Sequence, residues 1–312
     1  MRTFDTIQLG SIELFCKAAE LGSFSLAAEN LGLTPASVSR AIKRLEERLG
    51  VRLFSRTTRN VRLTDEGALY WQQCQQALAQ IAEAERAITG HQKVPSGLLR
   101  LSVGTLYANY RLLPHLRQFT ELYPQIELEL SLSNRVVDVI DEAFDLAIRI
   151  GEPQDSRLIV RKLEDAPVGV FATPDYLERR GVPATLADLA SHDCLQFMLP
   201  TTGRAMPWIF SDGGKHIDYA ARSRLRVLDD AQGCVSWGMA GGGLFQTYHF
   251  IARPAIEKGE LVEVLQAHGG RSRQFSVIYP QNRHLAARVR VFVDFMLARL
   301  REPAAPGQVR TR

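Results

Sequence analysis

The sequence has little that would build a disulfide scaffold, a membrane span or an obvious reaction centre. Its cysteines, Cys16, Cys74, Cys194 and Cys234, are widely spaced and form no CxxC pair. That spacing argues for thiols used as small packing residues in a reducing compartment. A redox pair of Cys194 and Cys234 remains the alternative, since both can fall in one domain. No apolar run approaches the roughly 20 residues of a membrane helix. Asp5, Gln8 and Glu13 interrupt any apolar core a leader would need, so a cytoplasmic protein is expected.

Catalytic signatures are also missing. Gly233-Cys234-Val235-Ser236-Trp237-Gly238 is one residue too long for a G-x-S-x-G elbow. The glycines at 241–243 do not follow G-x-G-x-x-G, and there is no Walker loop. The histidines, at 91, 115, 192, 216, 249, 268 and 284, show no H-x-x-x-H or H-E-x-x-H pairing. The sequence therefore asks for no reaction, no metal ligand set and no cofactor.

What is present is an ordinary globular composition with an uneven charge. The 312 residues are 46% apolar and 23% charged, enough for two or three folding units. The net charge of +4 resides in residues 1–62, which hold ten Lys/Arg against six Asp/Glu; the remainder balances. A small basic part on a neutral large one suggests nucleic acid for the first and another partner for the second.

The basic part centres on Ser23 to Arg62, SFSLAAENLGLTPASVSRAIKRLEERLGVRLFSRTTRNVR. Gly32 permits a sharp turn, Thr34 caps a helix and Pro35 suits its first position. Leu33 and Val38 are placed as a hydrophobic staple. Val38, Ile42, Leu45 and Leu49 form one apolar stripe, and Ala36, Ser37, Arg40, Lys43 and Arg44 lie opposite. Small residues first and cations later suit a helix entering the major groove nose-first. Thr34, Ala36, Ser37, Ser39, Arg40, Lys43 and Arg44 are the expected DNA contacts on this helix. Val51–Phe54 and Val61–Leu63 are strand-prone and flank a basic turn, a wing whose Arg56 and Arg59 would meet phosphates or the minor groove.

These residues carry a family resemblance. GSFSLAAENLGLTPASVSRAIKRLEERLGVRLFSRTTRNVRLTDEG resembles the winged helix-turn-helix of LysR-type transcriptional regulators over dozens of residues at fixed spacing. Pro35 stands where many members have glutamine, which removes a side-chain hydrogen bond at that position.

Thr64-Asp65-Glu66 starts a further helix that runs without proline to about Gly90. Trp71, Cys74, Leu78, Ile81, Glu85 and Ile88 follow spacings of 3 and 4, a short coiled-coil seam with Glu85 as its flaw. Trp71, Leu78, Ile81 and Ile88 are the expected dimer contacts. The resemblance implies the same, a homodimer or homotetramer paired through this linker helix.

From Leu98 strand-like and helix-like pieces alternate: Leu98–Val103, Leu112–Leu122, Ile126–Leu132, a helical Val136–Glu142 and Leu146–Ile150, a parallel α/β unit. A second set spans Val168–Ala172, residues 174–180, Cys194–Phe197, Arg222–Val227, residues 229–240 and Leu244-Phe245. Gln274–Tyr279 and Leu285–Leu300 follow. DLAIRIGEPQDSRLIVRKL and PDYLERRG resemble a large subgroup of the family's effector domain, two α/β lobes of periplasmic-binding-protein type. The expected organisation is a winged domain at 1–63, a linker helix at 64–92, an effector domain at 97–302 and a disordered tail at 303–312. The resemblance implies that lobe 1 holds about 97–163 and 270–302, and lobe 2 about 164–269.

Ligands of open α/β sheets sit at the carboxyl ends of strands. That rule selects Thr105, Tyr107, Ser133, Asn134 and Arg149 in the first lobe and Phe197, Phe245 and Thr247 in the second. Exposed N–H groups and Arg149 favour an anion, and the resemblance implies a small, often carboxylate, metabolite. Gly241 to Thr247, GGGLFQT, departs from the Leu-Pro ending of many members. The expected function is a sequence-specific DNA-binding regulator of promoter inverted repeats, modulated by a small-molecule effector. An activator would also touch RNA polymerase. The alternative is a small-molecule-binding protein whose winged domain serves protein assembly; a hydrolase-like domain on a DNA-binding head is the third reading.

Overall fold

The computed structural model describes residues 9–56, 61–88, 94–151, 153, 155–221, 223–281 and 285–301, with the side chains of 56, 76, 79, 80, 83–88 and 301 set aside. The chain forms two compact units, Met1–Lys93 and Val94–Arg312.

The first unit holds α1 (Leu9–Leu21), α2 (Phe24–Asn30), α3 (Pro35–Leu49), the strands β1 (Phe54–Arg56) and β2 (Val61–Leu63), and α4 (Asp65–Ile88). Local chemistry sets each boundary. Ser23 caps α2 by accepting Leu26 N–H at 3.3 Å, and Gly32 (φ +67°) turns the chain toward α3. Thr34 caps α3 at Ser37 N–H (3.2 Å), Pro35 fills its first turn and Gly50 ends it in the left-handed region. β1 begins only at Phe54, later than the apolar run suggests. Glu46 Oε1 takes the N–H groups of Leu53 and Phe54 at 2.9 and 3.1 Å and holds that stretch against α3. Phe15, Val38, Ile42 and Leu53 are fully buried, with Phe54 against the rings of Phe15 and Phe24. A Cβ on Gly67 would lie 1.9 Å from Leu53 O, so only glycine lets α4 approach the wing.

The second unit opens with β3 (Gly97–Val103), a short α5 (Thr105–Tyr107), a π turn and α6 (Leu113–Leu122), then β4 (Ile126–Leu132) and β5 (Leu146–Ile150). β6 (Leu158–Ala172) leads to α7 (Pro174–Arg180), β7 (Gln196–Phe197), the hairpin β8 (Trp208–Asp212) and β9 (Lys215–Tyr219), β10 (Arg226–Val227), α8 (Gln232–Met239), β11 (Phe245–Tyr248), α9 (His249–Glu257), β12 (Val262–Val264), β13 (Ser272–Pro280) and α10 (Ala287–Arg301). The first lobe's sheet runs β4-β3-β5-β13-β6; β4 and β5 are parallel to β3, whereas β13 is antiparallel to both its neighbours. β6 pairs with β13 through Pro167 and then with β11 and β12 from Val168 onward. The 15-residue β6 therefore joins the two lobes, and β13 brings the chain back.

One expectation changes here. Val136–Glu142 is a series of turns, because the Asp138 carboxylate takes the N–H groups of Ile140 and Asp141 (both 2.9 Å) and competes with a helical ladder. The strands of residues 98–150 are parallel as expected, and the unit as a whole is mixed because β13 returns antiparallel. Its first core packs Leu99, Leu101, Val103, Phe119 and Phe292, all fully buried. Arg288 on α10 reaches Asp145 at 2.8 Å and ties that helix to the start of β5.

Candidate functional site

α3 buries Val38, Ala41, Ile42 and Leu45 and turns the rest of its surface outward. Thr34, Ala36, Arg40, Lys43 and Arg44 are exposed, while Ser37 and Ser39 are half-buried. Thr34 and Ser37 share a hydrogen bond (2.8 Å), so both hydroxyls at the helix start are oriented, and Arg40 Nη2 lies 3.4 Å from Ser37 Oγ. Lys43 is 3.6 Å from Glu47, an exposed pair too weak to hold it from a phosphate. Arg56 lies in β1, but its side chain, and the whole of Arg59, fall outside the described residues. Arg52 and Arg62 are further exposed cations beside the wing that spacing alone did not single out.

The expected dimer seam divides. Trp71 and Leu78 are half-buried and, with buried Cys74, pack on the core of their own unit. Ile81 is 41% exposed on α4, and the Ile88 side chain lies outside the described residues. Cys74 also shares a hydrogen bond with Cys16 that lowers its thiol to about 7 and pushes Cys16 up. The alternative pair is unfavourable. Cys194 and Cys234 sit in different core clusters, and burial raises each thiol to about 12.

Between the lobes lies a cavity of about 420 Å³. Tyr107, Asn134, Arg149 and Phe197, four of the expected ligand contacts, line it. Much of its remaining wall is apolar, including Leu106, Val136, Ile148, Met206 and Phe275. These residues were not singled out by the strand-end rule, which passes over Ile148 and Phe275 because they lie inside β5 and β13. The usable signal was position: Val136 follows β4, and Tyr248 ends β11.

The other four contacts are not in that wall. Phe245 is a correction: its ring is 1% exposed, next to Phe171 and so close to α8 that a Cβ on Gly238 would lie 2.1 Å from it. Thr247 is likewise buried, opposite Gly169 in the β11–β6 ladder. Ser133 caps its own turn by accepting Arg135 N–H at 3.2 Å. Thr105 instead joins the lobes, with Oγ1 donating to Asp230 Oδ1 at 2.8 Å. Asn134 completes this latch. Its Oδ1 accepts Thr105 N–H (3.2 Å), and its Nδ2 donates to Thr105 Oγ1 (2.8 Å) and to Asp229 O (3.0 Å). Thr105 N–H, the donor expected to greet an anion, is thus occupied.

Arg149 is held by neutral acceptors. Nη1 donates to Ile148 O at 2.9 Å, and Nη2 to Ser102 Oγ at 2.7 Å and Arg135 O at 3.2 Å. Burial, then the nearby Arg135 charge, lowers its pKa to about 10, so it stays cationic at neutral pH. Glu142 is engaged in a bidentate pair with Arg135. Among the described residues no group of acids, histidines and cysteines is arranged to hold a metal ion, and no helix is long and apolar enough to cross a membrane.

Both parts of the chain match known protein families. Residues 9–68 match the family model "Bacterial regulatory helix-turn-helix protein, lysR family", and residues 92–301 match "LysR substrate binding domain". An HTH-type transcriptional regulator of Xanthomonas campestris pv. campestris is 35% identical over 95% of this chain and 86% of its own length. The HTH-type transcriptional regulator CrgA of Neisseria meningitidis serogroup C is 34% identical over 93% of this chain and 96% of its own. Among solved structures, CrgA from Neisseria meningitidis superposes with a TM-score of 0.60 at 32% identity, covering 94% of this chain and 99% of that one. The full-length virulence activator AphB of Vibrio cholerae gives 0.59 at 27% identity, covering 94% and 99%.

Proposed function

We propose a mechanism for this chain from one premise: it belongs to the LysR family of HTH-type transcriptional regulators. It is a DNA-binding transcriptional regulator with an effector-binding domain. In our reading α3 enters the major groove, with Thr34, Ala36, Ser37 and Ser39 toward base edges and Arg40, Lys43 and Arg44 toward phosphates. Arg56 and Arg59 of the wing take the adjacent backbone or minor groove. Two copies joined along α4, where Ile81 is exposed, read an interrupted inverted repeat, and pairs of dimers give a tetramer. The protein works in the cytoplasm, where its DNA is, and carries out no reaction of its own; as an activator it would contact RNA polymerase.

Ligand in the cleft between the lobes, against Tyr107, Asn134, Arg149 and Phe197, changes DNA binding only so far as it favours one arrangement of the oligomer over another. The observation that carries this reading is the capped α3, which turns three cations away from its buried stripe. The test is a selection of source-genome fragments on the purified protein, then footprinting. A protected inverted repeat beside a promoter is expected. Equal binding to random duplex, abolished by physiological salt, would instead favour a winged domain used for protein assembly.

A further inference from the structure

The cleft, taken as the effector site, has a chemistry that narrows what it holds. Its wall is largely apolar, with Val136, Ile148, Phe197, Met206 and Phe275 facing the cavity. Asn134, a polar lining residue, has its amide committed to Thr105 and Asp229. Arg149 is the one charged side chain among the described lining residues. No carboxylate among the described residues pairs with it: Glu142, whose charge it feels, is gripped by Arg135. Its three hydrogen bonds go to two carbonyls and a hydroxyl, and its Nε has no acceptor. A guanidinium has five N–H donors; with Nε buried, one Nη1 hydrogen is unspent, and the full positive charge has no carboxylate partner among the described residues.

We infer that the effector is an amphipathic monoanion, a single carboxylate on an apolar, aromatic or branched body. This inference rests on the reading of the cleft as the effector site. A neutral ligand would fill the apolar volume yet leave the cation unpaired. A dianion would bury a second negative charge with no partner, and a polyhydroxylated ligand would bury hydroxyls against aliphatic walls. A cation would face Arg149 directly. Arg149 stays protonated at neutral pH despite its burial, so the charge is available under ordinary conditions.

The experiment uses the full-length protein and five probes at matched ionic strength: phenylacetate, 4-methylpentanoate, phenylacetamide, succinate and phenyl phosphate. Titration calorimetry is expected to rank both monocarboxylates at least tenfold above the neutral amide and both dianions. Arg149→Gln should erase the advantage of phenylacetate over phenylacetamide, and Arg149→Lys should restore part of it. Should Arg149→Gln fail to fold, Met206→Trp fills the cavity from the opposite lobe and should weaken both acids at least tenfold. Dianions binding as tightly as monocarboxylates, or acid preference unchanged in Arg149→Gln, would overturn the inference. A metabolite extract added to the operator footprint separates the two levels. If the extract shifts the footprint while the monocarboxylates do not bind, the ligand class is wrong and the effector reading stands. If neither acts, both fall.

Discussion

Thr105→Val tests whether the hydrogen bonds across the cleft hold the lobes together. Valine keeps the shape of threonine but removes the donor to Asp230 (2.8 Å) and the acceptor for Asn134 Nδ2 (2.8 Å). Only the first crosses the lobes directly; the second orients Asn134 toward Asp229 O, the other crossing contact. Asp230 is exposed, so the charged acceptor adds little beyond a neutral one, and each bond is worth about 1 kcal/mol net. Losing one bond and loosening another removes about 1–2 kcal/mol, which shifts the equilibrium toward separated lobes roughly 5- to 30-fold. The assay is single-molecule energy transfer between dyes at Arg290→Cys on α10 and Val182→Cys beyond α7, both exposed positions, with one labelled chain per oligomer. The native cysteines are buried and should not compete for dye. A larger low-transfer population is expected in Thr105→Val. An unchanged distribution in a folded protein would refute the latch.

Three other outcomes follow from the same geometry. Arg40→Ala should weaken operator binding; if Arg40 meets a phosphate, the slope of log K against log salt should fall by about 1.8 for a two-headed dimer, and unchanged affinity would remove Arg40 from the interface. Gly238→Ala places a Cβ 2.1 Å from Phe245 Cδ1 and should destabilise the second unit by roughly 1–3 kcal/mol in urea unfolding, with the first unit unaffected. Arg135 holds the Glu142 carboxyl below its usual value. The stability it contributes is therefore present above the ordinary glutamate pKa and lost as pH falls through the lowered one. Melting of the effector domain between pH 6 and pH 3 should show a smaller acid-side loss in Glu142→Gln than in the wild type.

The DNA-reading head was legible because its signals are local. Thr34, Pro35, Gly32 and the Val38-Ile42-Leu45 stripe act within a few residues of one another, and the structure uses each as expected. Glu46 was not legible: nothing in its local spacing marks the contacts, 7 and 8 residues away, through which it fixes the start of β1. The seam on α4 was legible as a period but not as a destination, since the same spacing serves the protein's own core at Trp71, Cys74 and Leu78. In the second unit, α9, which has Pro254 inside it, and the β8–β9 hairpin were not among the expected elements. The cleft was half visible. Strand ends located Tyr107, Asn134, Arg149 and Phe197. Which neighbouring residues turn toward the cavity depends on lobe packing, and so Phe245 and Thr247 were misplaced.

The most direct test of the account is an operator footprint taken with and without metabolite extract, on the wild type and on Met206→Trp. Occupancy of the cleft is held to control the DNA-binding heads. Extract should change the wild-type footprint and leave that of Met206→Trp as it was, with the same inverted repeat protected in both without extract. An extract-dependent change of equal size in the filled-cavity variant would contradict the account and place the controlling ligand elsewhere.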